Sequence, residues 1–127
     1  MNMTKWFSDM IASPTKKAMP ILSFPSISLM GITVRDLIGD GERQAEGMAL
    51  VAARTNAAAS VSMMDLSVEA ECFGSTVRVS EDEVPTVTGS VVDTPEDADA
   101  LRVPSVGEGR TGRYIDALRR AKERITD

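Results

Sequence analysis

Between Asn56 and Asp65 the chain passes through eight residues, AAASVSMM, without a single charge. Polar and apolar positions do not alternate there, so the run does not read as a strand with one wet face. It reads as a strand covered on both faces, which is how parallel strands are normally placed. A second apolar run, AMPILSF at 18–24, lies upstream. Between the two, the segment 41–56 reads as a helix. Acids come first, Ala45, Met48, Ala49 and Ala52 make a wide apolar face, Asn56 is a stop, and Gly47 weakens the interior somewhat. Strand, helix and strand form a βαβ unit, which is almost always right-handed and opens an α/β fold.

The flanks carry simpler signals. Thr4 can cap a short helix with Trp6, Phe7, Met10 and Ile11 on one face, ended by Pro14. Residues 26–40 read as a loop and a short helix capped by Thr33, with Gly31 and Gly39 as punctuation. Residues 75–92 alternate apolar and polar around a turn at 81–83, the pattern of a hairpin. Thr94, Pro95, Glu96 and Asp97 make a strong helix start. Residues 103–109 read as a linker, and 110–126 as a last helix with Ile115, Leu118, Ala121, Lys122 and Ile125 along its inner face. The expected organisation is one unit, 1–127. It comprises a helix and linker (1–17), a βαβ unit with an acidic loop (18–74), and a hairpin, linker and terminal helix (75–127). Two central strands cannot close an eight-stranded barrel, which needs about 250 residues. The expected fold class is α/β with an inserted hairpin and an N-terminal helix, in which a parallel strand delivers an acidic loop to the rim of a barrel that the chain holds only in part.

Composition removes several function classes. A net charge of −5 argues against nucleic acid as a partner. The one basic cluster, RRAKER at 119–124, falls on a helix with acids nearby and reads as a solvated face. The chain has no histidine, so it offers neither a His base nor the usual His-rich zinc site. One cysteine, Cys72, permits no internal disulfide and fits a reducing compartment, hence a cytoplasmic protein. The uncharged stretch 18–34 after Lys16 and Lys17 superficially looks like a targeting signal. Pro20 and Pro25 break it, and it is too short to span a bilayer, so a buried strand and its loop are expected, with no membrane partner.

The candidate site lies where the uncharged run ends. Active groups of α/β folds gather at the carboxyl ends of parallel strands. Asp65 holds that position, and Glu69 and Glu71 follow in its loop. If the loop begins as a helical turn, Asp65 and Glu69 share a face. Such carboxylates could hold an amine-bearing substrate or act as acid or base. The competing reading is an acid capping the next turn beside two solvated glutamates. Cys72, Met63 and Met64 read as core, and Gly107–Glu108–Gly109 is too short for a phosphate-binding loop.

The blocks MMDLSVEAECFGSTVRV, PTVTGSVVDTPEDADAL and VPSVGEGRTGRYIDALRRAKERI resemble the uroporphyrinogen decarboxylase superfamily. The closer likeness is to its corrinoid-dependent methyltransferase branch, of the methylcobamide:coenzyme M kind. There a VEAE-x-x-G stretch follows the second barrel strand, as at Val68 to Gly74. The resemblance runs from about Ala18 to Ile125. It implies the amino-terminal part of a (β/α)8 TIM barrel that moves a methyl group from a corrinoid protein to a thiol or folate acceptor, with a zinc ion held by one His and two Cys from later strands. None of those zinc positions occurs here, so no cofactor is expected on this chain, which looks like the first third of such an enzyme and is expected to be inactive alone. Superfamily decarboxylases carry an RQAGRY segment after the first strand. Here that stretch is FPSISLMGITV, with no arginine before Arg35. Asp65 matches the acid that decarboxylases use for pyrrole nitrogens. In the methyltransferase branch the resemblance implies a cavity-lining, substrate-binding role for Asp65, Glu69 and Glu71. The alternatives are a stand-alone binding module, including a homo-oligomer, and a tetrapyrrole decarboxylase-like protein.

Overall fold

The computed structural model describes residues 2–126. Helix α1, Met3–Ala12, is capped by Asn2, whose side chain accepts from the Lys5 N–H at 3.1 Å, rather than by Thr4. Its apolar residues meet no core: none is buried, and Phe7 and Ile11 are mostly exposed. The loop expected at 26–40 is mostly helical. Helix α2, Ser26–Met30, closes on Gly31 in the left-handed region (φ 65), and α3, Val34–Gly39, starts on a capping box between Thr33 and Asp36. Helix α4, Gly41–Arg54, follows at once and is capped by Asp40.

The two apolar runs expected as strands do not form a ladder. They do lie side by side and run in the same direction. The Ala58 N–H donates to the Ala18 carbonyl at 2.8 Å, and further along Ser23 Oγ donates to the Ser62 carbonyl at 2.9 Å. Neither segment is a β-strand. Pro20 has no N–H to give to a ladder. Parallel strands also need cover on both faces; here Met63 is buried, but Met19, Ile21 and Met64 are each about half exposed. The side facing α3 is packed and the opposite side is not, so the run at 57–64 is half covered rather than fully covered.

The antiparallel hairpin forms as expected. Strand β1, Thr76–Arg78, pairs with β2, Thr86–Thr88, with Val77 opposite Val87. Its turn is tied to α3, because the Val34 N–H donates to the Glu81 carbonyl at 2.7 Å. Helix α5, Val68–Cys72, precedes it. Helix α6, Pro95–Ala100, starts on the Thr94 capping box with acids in its first turn, and buries nothing. Helix α7, Thr111–Arg124, completes the chain.

Two apolar clusters hold these elements. Val34, Leu37, Ile38 and Met63 are buried together, with Phe24, Ile27, Ile32, Val79 and Tyr114 against them. Ala45, Met48 and Ala121 make the second, with Ile125 at its edge. The second cluster is the α4–α7 seam. Its small residues let the helices approach closely: a Cβ on Gly41 would lie 2.8 Å from the Arg113 carbonyl oxygen. The inner face of α7 is thus Ala117 and Ala121, while Leu118 is 48% exposed and Lys122 is in solvent. Bulkier residues would hold the helices apart, so alanine takes the centre and leucine the rim. Glu42 of α4 accepts from both Arg120 and Arg124 of α7 across the same seam. Gly47 also serves packing. A Cβ there would lie 2.6 Å from Ser26 Oγ, so the glycine is what lets α2 settle on α4. The whole is a mixed helical architecture with one small sheet, compatible with a partial α/β fold. Among the described residues no helix is long and apolar enough to cross a membrane.

Candidate functional site

Asp65 sits at the end of the 57–64 segment, and its carboxylate is fully buried. It organises the turn that leads into α5. The N–H and the hydroxyl of Ser67 both donate to Asp65 Oδ1, at 2.9 and 2.6 Å. The local rule is the familiar one: a short acidic side chain satisfies the backbone two residues on. The other oxygen is met from far along the chain. Arg110 Nη1 and the Tyr114 hydroxyl donate to Asp65 Oδ2, at 2.5 and 2.9 Å. Arg110 also donates from Nε to Glu71 at 2.5 Å and from Nη2 to Ser67 Oγ at 2.9 Å. One guanidinium therefore joins two acids and a hydroxyl.

The three acids of the loop are treated differently by the fold. Helix α5 begins at Val68, downstream of Asp65, so Asp65 and Glu69 are not stacked on one helical face. Glu69 is exposed and stands outside the network, whereas Glu71 is half-buried and joins Asp65 through Arg110.

Arg110 is delivered by a strap, residues 102–109, that is itself tied down. The Glu108 carboxylate accepts from Arg102 and from the Ser105 N–H. The Glu108 carbonyl accepts from Cys72 Sγ at 3.1 Å and from Thr111 Oγ1 at 2.5 Å. Cys72 thus links α5 to the strap. Gly107 and Gly109 adopt positive φ (81 and 57), and a Cβ on Gly112 would lie 2.6 Å from the Gly107 oxygen.

Electrostatics follow this geometry. Burial would raise the Asp65 carboxyl, but hydrogen bonds from Ser67, Arg110 and Tyr114 outweigh it and hold it below its ordinary value. Burial opposes charge on Arg110 as well, and its bonds to Glu71 and Asp65 prevail, so its pKa is raised. Tyr114 is pushed up, first by burial and then by the charge of Asp65, and stays a neutral donor. On the strap, the Arg102 guanidinium pulls Glu108 down to about 2.

Arg110, Ser67 and Tyr114 complete the cluster, and none is singled out by reading the sequence for acids. One signal for Arg110 exists. A cation at the start of a helix opposes the macrodipole, so an arginine immediately before α7 calls for a nearby carboxylate. The zinc implied by the resemblance does not fit this chain. It has no histidine and one cysteine, and among the described residues no group of three or more candidate ligands converges. Next to Asp65 in the chain, Leu66 lines an apolar groove of about 360 Å³ with Ile21, Phe24, Met64, Val84 and Pro85.

No curated protein and no solved structure matches the chain. The family model for uroporphyrinogen decarboxylase (URO-D) matches residues 11–127. That span takes in the parallel segments, the hairpin and the whole Asp65–Glu71–Arg110–Tyr114 cluster, and the chain belongs to the uroporphyrinogen decarboxylase family.

Proposed function

We propose that this chain is the amino-terminal portion of a corrinoid-dependent methyltransferase with a (β/α)8 barrel. The reaction moves a methyl group from a methylated corrinoid protein to a small thiol or folate acceptor in the cytoplasm. The supporting observation is the segment after the first apolar run. Where decarboxylases of the superfamily carry arginines, residues 24–34 here contain none, and Phe24, Ile27, Ile32 and Val34 pack into the core with Leu37. A carboxylate-rich tetrapyrrole would meet no cation there. In this reading Asp65, Glu69 and Glu71 line the substrate cavity, and zinc and corrinoid are held by parts of the enzyme beyond these residues. The test is to supply a protein containing this segment with methylcobalamin and a thiol. Loss of the methyl–cobalt absorption with formation of a thioether supports the proposal. Release of carbon dioxide from uroporphyrinogen with no methyl transfer overturns it in favour of decarboxylation, and zinc-loaded, unaided methyl transfer by the 127-residue chain overturns the reading of the chain as an incomplete portion.

A second reading, a binding module that self-associates, draws on the apolar residues left in solvent: Phe7, Ile11, Ile21 and Leu66, the last 82% exposed. Sedimentation of the chain tests both readings. A compact monomer that melts cooperatively counts against an incomplete barrel and against self-association, whereas a dimer fits either.

A further inference from the structure

The turn after the 57–64 segment holds its residues unequally. Asp65, Ser67 and Val68 are all buried, and the Ser67 N–H and hydroxyl tie the turn to Asp65 Oδ1. Leu66, between them, is 82% exposed. A large apolar side chain is therefore presented to solvent from a backbone pinned on both sides. Leu66 also stands on the groove of about 360 Å³, where Ile21, Met64 and Val84 are each about half exposed beside Phe24 and Pro85. Single apolar side chains in water are ordinary; several that converge on one concavity mark a contact surface.

The chain that walls this groove carries one sign of charge. From Val79 to Leu101 there are seven acids and no lysine or arginine. Three of the acids, at 81–83, directly precede the groove residues Val84 and Pro85, and four follow at 93–99. All seven are exposed. Among the described residues Glu83 alone of them joins a salt bridge, to Arg78, and Asp97 is engaged by the Thr94 cap. The stretch thus keeps a negative field that the chain itself does not neutralise.

We propose that the groove beside Leu66 is a docking site for a protein segment that presents a large apolar side chain flanked by lysines or arginines. The apolar anchor fills the groove against Leu66, Ile21 and Met64, and the flanking cations meet the acids on either side of Val84 and Pro85. Because the Asp65 turn already fixes Leu66 outward, little ordering is lost on contact. A second copy of this chain is a poorer occupant. An isologous contact through the groove would set the same acidic stretch of each copy against the other. The cations that a head-to-tail contact could offer from α7 are partly committed, since Arg120 and Arg124 are held by Glu42 and Asp116. Docking of this kind is independent of the methyl-transfer reading.

The experiment is fluorescence anisotropy of the full chain with three labelled hexapeptides. The first has Leu and Phe at its centre and a pair of Lys at each end. The second replaces the centre with Ser, and the third replaces every Lys with Glu. The first is expected to bind about ten-fold more tightly than either control, the scale of burying one apolar side chain. Leu66→Ser alters an exposed position, so it should leave the thermal melt unchanged and bring the first peptide down to the level of the serine control. Val84→Ser, at another groove residue, is expected to act in the same way. Glu81→Gln combined with Glu96→Gln and Asp99→Asn should weaken the first peptide several-fold, and added salt acts in the same direction. Equal binding of the two lysine peptides, equal binding of the glutamate peptide, binding that survives both serine variants, or no binding at millimolar peptide overturns the proposal. Sedimentation of the unaltered chain as a dimer that Leu66→Ser dissociates also overturns it, in favour of a second copy as the occupant.

Discussion

The Tyr114 hydroxyl donates to Asp65 Oδ2 at 2.9 Å while its ring packs on the cluster of Val34, Leu37, Ile38 and Met63. One side chain thus joins the apolar core to the buried acid. Tyr114→Phe keeps the ring and removes the donor. We expect a loss of about 1.5–3 kcal/mol, the usual range for a bond to a charged group. Urea denaturation should show a lower midpoint at unchanged slope. A midpoint equal to that of the unaltered chain would mean that Arg110 and Ser67 satisfy Asp65 without the tyrosine.

Gly47→Ala sets two effects against each other. Helix propensity favours alanine by about 1 kcal/mol. The new Cβ, however, would lie 2.6 Å from Ser26 Oγ and 2.9 Å from Ser26 Cβ, both parts of a buried residue in α2. Overpacking of this kind costs about 1–3 kcal/mol, so net destabilisation is expected. Ser26→Gly in the same chain should recover much of the loss, and a double-mutant cycle reads the coupling directly.

Leu37 is 1% exposed at the centre of the first apolar cluster. Leu37→Ala removes three carbons from a site bordered by two short helices. A cost of about 2–5 kcal/mol is expected, enough to unfold a marginal domain. Thermal melting followed by circular dichroism provides the check. A shift within the error of the melt would show that α2 and α3 collapse into the space.

Acid should loosen the strap, and the Glu42 ion pairs across the seam between α4 and α7 are weakened in the same direction. Glu108 has its pKa lowered from 4.5 to about 2 in the folded chain by Arg102. A depressed carboxyl contributes stability that is complete above its unfolded pKa and is lost as pH falls through the folded one. The Glu108 contribution is therefore full above pH 4.5 and disappears on the way down to about 2. Asp65, also depressed, loses its contribution in the same direction below its ordinary value of 3.8. Glu108→Gln should flatten the dependence of the denaturation midpoint on pH in this window. An unchanged slope would show that the strap plays no part in acid lability.

Elements whose cause is local could be read directly from the residues. Thr94, Pro95 and Asp97 specify the start of α6 within four positions, Thr33 and Asp36 do the same for α3, and the alternation around 81–83 specifies the hairpin. Elements that depend on partners could not. The segments 18–24 and 57–64 have the composition of parallel strands and the mutual direction of a parallel pair, yet lack the covering face that would turn proximity into a ladder. The site divides along the same line. Asp65 stands out because it ends an uncharged run. Arg110 is 45 residues away and Tyr114 is 49, and no spacing in the chain announces that they converge on it. The choice of Ala117 over Leu118 as the inner residue of α7 likewise depends on the approach of α4, which a single helical pattern does not contain.

Every residue from 86 to 100 is exposed, and α6 buries none of its side chains. Beyond the short pairing of β2 with β1, this stretch is held by its own cap and little else, so it should open on its own, with amide exchange far faster than in α4 or α7. Protease should cut there first, and the two resulting pieces should stay associated through the seam and the buried acid. The same indifference makes it the place where relatives can gain or lose length without disturbing the rest.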